Sequence, residues 1–166
     1  MNQEVLNIAT EIMNANKKDF IGIRVNRDPR LPKGISWLSV DDVLKIHAEM
    51  IMNIGGNSGI HNMTDLEYYL KRPLTNIVGA PEKDIFEQIC ECSYHIGTCF
   101  VDCGAQTAAT IFLTLCKLNN IDIKFEIGEI YDIFPRTLDM SLSYTKFKEK
   151  MLHKYHKKVF DVGIFN

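Results

Sequence analysis

Most of the features that would assign this chain to a class at sight are missing from it. There is no basic excess. Lysine and arginine number 19 against 21 aspartate and glutamate, a formal net charge of −2, so the cationic surface that drives nucleic-acid binding has no source here. No block of like charge marks a binding tail. No apolar run approaches the ~18 residues of a membrane span, and residues 1–16 have neither the basic start nor the apolar core of a secretory leader. The expectation is a cytoplasmic protein that engages neither nucleic acid nor membrane. Internal repeats, low-complexity tracts and linkers are also absent from the 166 residues, which read as one domain long enough to bury a core. The five cysteines are an odd count in a chain that needs no staple, and they read as reduced thiols.

What is present is helical period. Val5, Ile8, Ala9 and Ile12 fall on one face within residues 1–16, with Asn2 as cap. Residues 17–35 are polar and turn-rich and read as a loop or extended arm. Arg24, Arg27 and Arg30 in it are either solvated or set to face an anionic ligand. Ser39 caps a strong helix, Asp41 and Asp42 suit its positive end, and Val43, His47, Met50 and Ile54 lie on its stripe up to Gly55 and Gly56. His47 is expected in the core.

Thr64 and Glu67 form a capping box for the next helix, which carries Leu66, Tyr69 and Leu70 and stops before Pro73. Trp37 is expected to anchor the preceding helix, the one that Ser39 caps, its indole N–H needing a partner if buried. Pro81 opens a helix to residue 96, and a loop over residues 97–104 leads into a helix over 105–118 that ends at Asn119 and Asn120. Residues 121–125 alternate weakly. Helices are expected over 127–134 and 138–155 with Pro135 between them, and a short strand over 159–165. The fold class is mainly α.

The loop carries the most specific signal. Phe100-Val101-Asp102-Cys103-Gly104-Ala105-Gln106-Thr107-Ala108 resembles the signature of the Fic/Doc family, roughly H-x-F-x-D-[AG]-N-[KG]-R-T-A. Phe100, Asp102, Thr107 and Ala108 fall on the family's Phe, Asp, Thr and Ala; Thr98 stands at the His position, and Gly104, Ala105 and Gln106 at the Asn, Lys and Arg positions. Upstream, the runs DVLKIHAEMI, GGNSGI and DLEYYLKRP are similar to the opening of death-on-curing proteins. The resemblance covers residues 35–125 and continues weakly to 155. It implies a Fic/Doc-like helical domain over residues 35–166, a short β-hairpin flap, and residues 1–34 as an N-terminal extension.

By the same resemblance, the flap that aligns a target segment is Gly55, Gly56, Asn57, Ser58, Gly59, Ile60 and His61. Active members place ATP or another donor over the loop, with Mg²⁺ on the Asp, here Asp102, and the phosphates on the Asn, Lys and Arg. A neutral imidazole suits a base acting on a hydroxyl, and phosphoryl charge needs cations. Thr98 has no basic atom, Ala105 nothing polar and Gln106 no charge. A vestigial anion seat remains in the backbone of Gly104, Ala105, Gln106 and Thr107.

Two other arrangements compete for this stretch. His95, three residues before Thr98, is either a displaced base or a helix residue meeting a carbonyl. Cys90, Cys92, His95, Cys99 and Cys103 are either a soft-metal cluster or small apolar fillers, and no standard zinc spacing is met. His61, His153 and His156 are expected at the surface.

The functional expectation is a catalytically impaired protein-binding or regulatory module related to toxin–antitoxin toxins. Its partner would be an antitoxin-like peptide, a translation factor or a regulator. The alternative is an enzyme with altered nucleotide- or phosphate-transfer chemistry on a rebuilt site, with ATP and Mg²⁺ as cofactors only if activity is retained.

Overall fold

A computed structural model describes residues 3–20, 36–75 and 84–164, with side chains up to residue 154. Seven helices follow one another: α1 (Gln3–Asn14), α2 (Val40–Ile54), α3 (Met63–Lys71), α4 (Ile85–Ile96), α5 (Gly104–Leu118), α6 (Ile127–Leu138) and α7 (Tyr144–Ile164). Among the described residues the only β pairing is two isolated bridges, Phe20 with Glu126 and Ile60 with Phe100. The architecture is mainly α, as the periodicity requires.

The chain is organised around α5. Every residue from Thr107 to Cys116 is buried, and α1, α2, α4 and α6 pack around it. A helix buried on all faces must satisfy its hydroxyls internally. Thr110 donates to the Gln106 carbonyl at 2.8 Å and Thr114 to the Thr110 carbonyl at 2.7 Å. Behind it, Phe112 meets Phe134 at 5.8 Å between centroids, and Phe134 meets Phe147 of α7 edge-on at 5.5 Å, the geometry that aromatic quadrupoles favour. Val5, Ala9 and Ile12 of α1 belong to this same core. The first helix, which lies before the stretch resembling Fic/Doc proteins, is therefore integral to the packing.

Several boundaries differ from the sequence reading. Ser39 and Asp42 form a reciprocal capping box at α2, but α3 is capped by Asn62, whose side chain accepts from the amides of Thr64 and Asp65; the box expected from Thr64 and Glu67 lies inside the helix. Asp84, accepting from the Glu87 amide at 2.8 Å, caps α4; Pro81 lies outside the described residues, as do Asn2, Arg24, Arg27 and Arg30. The helix expected to stop before Pro135 runs through it to Leu138. Burial of Ile133, Phe134 and Thr137 on either side holds the turn against the cost of the missing N–H. The break falls after it, where the Asp139 amide returns to the Pro135 carbonyl and Met140 is left-handed (φ 63°). The strand expected at the C-terminus is not formed: backbone helix continues to Ile164, because the stripe begun by Phe147 and Met151 is helical in period.

The hairpin expected of residues 55–61 is absent too. Gly55 (φ 94°) and Gly56 (φ 116°) turn the chain out of α2, conformations that L side chains avoid. The Asn57 side chain then accepts the Gly59 amide at 2.8 Å. The segment lies against the loop before α5 instead of folding on itself.

Candidate functional site

The loop begins where α4 tightens into a 3-10 turn over Gly97–Cys99. Phe100 is extended, and Cys103 is left-handed (φ 58°) and precedes α5 without a side-chain cap. Gly104 opens α5 at a point of backbone contact: a Cβ there would stand 2.2 Å from the Gly97 carbonyl oxygen. Only glycine lets α4 and α5 approach this closely. The glycine at position 104 is therefore dictated by backbone sterics.

The outer side of the loop is stitched to residues 55–61. The His61 amide donates to the Cys99 carbonyl at 2.8 Å, and the Val101 amide to the Gly59 carbonyl at 3.0 Å. Asp102 accepts the Asn57 amide at 2.7 Å, and Gly56 lies flat against its side chain, where a Cβ would come within 3.0 Å. The Cys103 thiol reaches the Gly55 carbonyl at 3.4 Å.

The inner side rests on His47 of α2, which is 1% exposed. Its Nδ1 and the Thr107 hydroxyl are 2.9 Å apart, and its ring stacks on Phe100 at 4.3 Å. Nε2 is buried and has no hydrogen-bond partner among the described residues. Burial holds the imidazole pKa below its ordinary value, while the Asp102 charge pulls the other way. The side chains shared with the Fic/Doc signature thus divide by face: Phe100 and Thr107 point down to His47, and Asp102 points out to Asn57.

The other predicted positions are less well equipped. Thr98 is exposed, and its hydroxyl donates to the His95 carbonyl at 2.9 Å. Gln106 is exposed and makes no side-chain hydrogen bond among the described residues. Gly104 and Ala105 are buried. No cation forms an ion pair with Asp102 among the described residues. Asp102 contributes one carboxylate, and among the described residues no group of three or more His, Cys, Asp or Glu could hold a metal ion.

His95 is not a loop residue. Its ring stacks on Tyr69 at 5.3 Å, meets Tyr94 edge-on at 5.0 Å and lies 5.7 Å from Tyr144, and burial lowers its pKa. It packs α4 against α3 and α7. The cysteine cluster does not assemble either. All five thiols are free, Cys90 and Cys92 wholly buried and Cys99 nearly so. Burial pushes the Cys99 thiol up to about 11. The surface positions of His61 and His153 are as expected, and the Trp37 indole N–H finds its partner in the Leu70 carbonyl of α3 at 2.9 Å.

Sequence reasoning placed His47 in the core without seeing what it joins. The available signal was the imidazole itself, since a polar ring on an apolar stripe must find a partner. The partnership of Asn57 with Asp102 had no signal, because a backbone amide is present in every residue. What the geometry offers chemically is a loop held in one conformation from both sides. A single outward carboxylate marks it, and among the described residues no base or cation is positioned on it. No family model matches the chain, and neither a curated protein nor a solved structure matches it.

Proposed function

We propose that this protein is a catalytically impaired domain of Fic/Doc type that works as a protein-binding or regulatory module related to the toxins of toxin–antitoxin systems. The observation that carries the reading is the pairing of residues 59–61 with 99–101. In an antiparallel bridge the backbone groups alternate in direction. The Gly59 carbonyl and His61 amide face the loop, so the amide and carbonyl of Ile60 face away from it. An extended peptide can add to such an edge using main-chain hydrogen bonds alone, which needs none of the lost side chains. The partner chemistry is an extended segment of a protein: an antitoxin-like peptide, a translation factor or a regulator.

The same loop disfavours catalysis. The Thr98 hydroxyl is committed to a carbonyl, His47 is sealed beneath Phe100, and His95 is clasped by tyrosines. Loss of a general base alone costs about 10²–10⁴ in rate.

The reading is tested by calorimetry with ATP and GTP, with and without Mg²⁺, beside a binding assay on the Ile60→Pro variant. The expected result is no Mg²⁺-dependent nucleotide binding, together with a partner protein retained by the parent and by Thr98→Ala but lost by Ile60→Pro. Nucleotide transfer to a protein that disappears in Asp102→Ala would establish the altered-enzyme reading instead.

A further inference from the structure

A separate recess lies where α1, α2, α5 and α6 converge, a cavity of about 370 Å³. Its floor is aliphatic, from the buried Ile12, Met50 and Ile127. Its rim carries one charge of each sign, Lys17 and Asp132, both exposed. Neither forms an ion pair among the described residues, with each other or with anything else. Beside them stands the carboxamide of Gln106, uncommitted to any hydrogen bond among the described residues. The one phenol on the wall is already engaged: the Tyr131 hydroxyl lies 2.6 Å from that of Thr110.

These features select a ligand. Binding cavities run from ~300 to 1,000 Å³, so this one suits a small molecule and not a peptide or a large cofactor. An apolar anion would meet Lys17 but face Asp132, and an apolar cation would meet the reverse conflict. A molecule bearing both charges satisfies both, and an aliphatic body satisfies the floor. We propose that the cavity binds a free aliphatic α-amino acid of about leucine size, its carboxylate on Lys17, its ammonium on Asp132 and its side chain against Ile12, Met50 and Ile127. Gln106, in the first turn of α5, is placed to accept or donate a hydrogen bond to the same head group. The assignment is independent of the protein-binding reading above, since it uses no residue of the 55–61 edge.

Calorimetry on the full chain tests it, with L-leucine as probe and three partial mimics: isocaproate, which lacks the ammonium, isoamylamine, which lacks the carboxylate, and glycine, which lacks the body. Leucine should bind saturably with a Kd on the order of 1 mM or tighter, and each mimic about tenfold more weakly or worse. Lys17→Gln should weaken leucine about tenfold while leaving isoamylamine unchanged; Asp132→Asn should weaken leucine similarly while leaving isocaproate unchanged. Both positions are exposed, and circular dichroism checks that the variants remain folded. The proposal is overturned if leucine gives no saturable heat, if glycine binds as well as leucine, or if both variants bind leucine like the parent.

Discussion

His47 and Thr107 meet Nδ1 to Oγ1 at 2.9 Å, and this bond joins α2 to the helix that follows the loop. With Phe100 stacked on the same imidazole, one buried ring sets the height of the loop from below. The burial of that ring makes stability depend on acid. The folded-state pKa of His47 is lowered by burial, so below the ordinary value of 6.5 the unfolded chain takes up a proton that the folded chain resists. Stability contributed by the neutral ring is complete above that pH and declines as pH falls from it towards the lower folded-state value. His95 shifts in the same direction for the same reason.

Urea unfolding should therefore show a midpoint that is flat from neutral pH upward and falls with acid below about pH 6.5. His47→Gln should make that fall shallower, and the further change His95→Gln shallower still. A parent midpoint independent of pH in this window would show that neither ring resists protonation. His47→Ala, which also removes the seat of Phe100, should cost about 2–4 kcal/mol at neutral pH.

Gly104 supplies a second, sharper expectation. A Cβ at 2.2 Å from the Gly97 carbonyl forces two backbones apart, and neither is a flexible side-chain end. Gly104→Ala should destabilise by about 3 kcal/mol or more, seen as a large fall in the denaturant midpoint. Gly55→Ala is the control. Its φ 94° and ψ 170° lie in a region almost confined to glycine, with nothing within 4 Å of its Cβ position, so it should cost about 1–3 kcal/mol from backbone strain alone. Equal losses at the two sites would refute the close approach.

Asp102 tests the outer stitching. Asp102→Ala removes the acceptor for the Asn57 amide while leaving the pairs at Gly59 and His61 in place. Hydrogen exchange at Asn57 should accelerate about tenfold or more, with smaller increases at His61 and Val101 and none in α5. Unchanged exchange at Asn57 would mean that the carboxylate does not hold this segment.

These relationships mark how far the sequence could be read. The helices were legible where burial is one-sided, as on α2, whose stripe and Ser39 cap are both local patterns. Pro135 misled because a propensity penalty counts only locally, while the burial of Phe134 and Thr137 that outweighs it comes from other helices. Asn62 was missed because Thr64 and Glu67 made the better-looking cap on paper, yet Asn62 ends the extended segment that the Ile60–Phe100 bridge anchors. At the loop, Thr98, Ala105 and Gln106 showed what is absent. Gly104 looked like one more loss, and its role in letting two helices touch could be seen only in three dimensions.

That role decides what side-chain repair can achieve. Thr98 and Gln106 are exposed, so Thr98→His and Gln106→Arg enter without disturbing the core. Ala105 is 8% exposed, and a lysine there can carry its ammonium out to water on an apolar stem. Gly104→Asn is barred by the Gly97 carbonyl. If the proposed Fic/Doc reading holds, the triple variant Thr98→His, Ala105→Lys, Gln106→Arg should bind ATP–Mg²⁺ at least about tenfold more tightly than the parent, because two cations are added beside amides without a side-chain cap. It should transfer nothing detectable. Anion binding tolerates loose placement, whereas transfer needs donor and acceptor aligned to within a fraction of an ångström, and an Asn at position 104 is barred. Adding Gly104→Asn should lower stability and not raise activity. Calorimetry and a labelled-nucleotide assay on the triple and quadruple variants separate these outcomes. A quadruple variant that folds like the parent and transfers nucleotide would mean that the α4–α5 contact can open, and would support the proposed Fic/Doc reading of this loop.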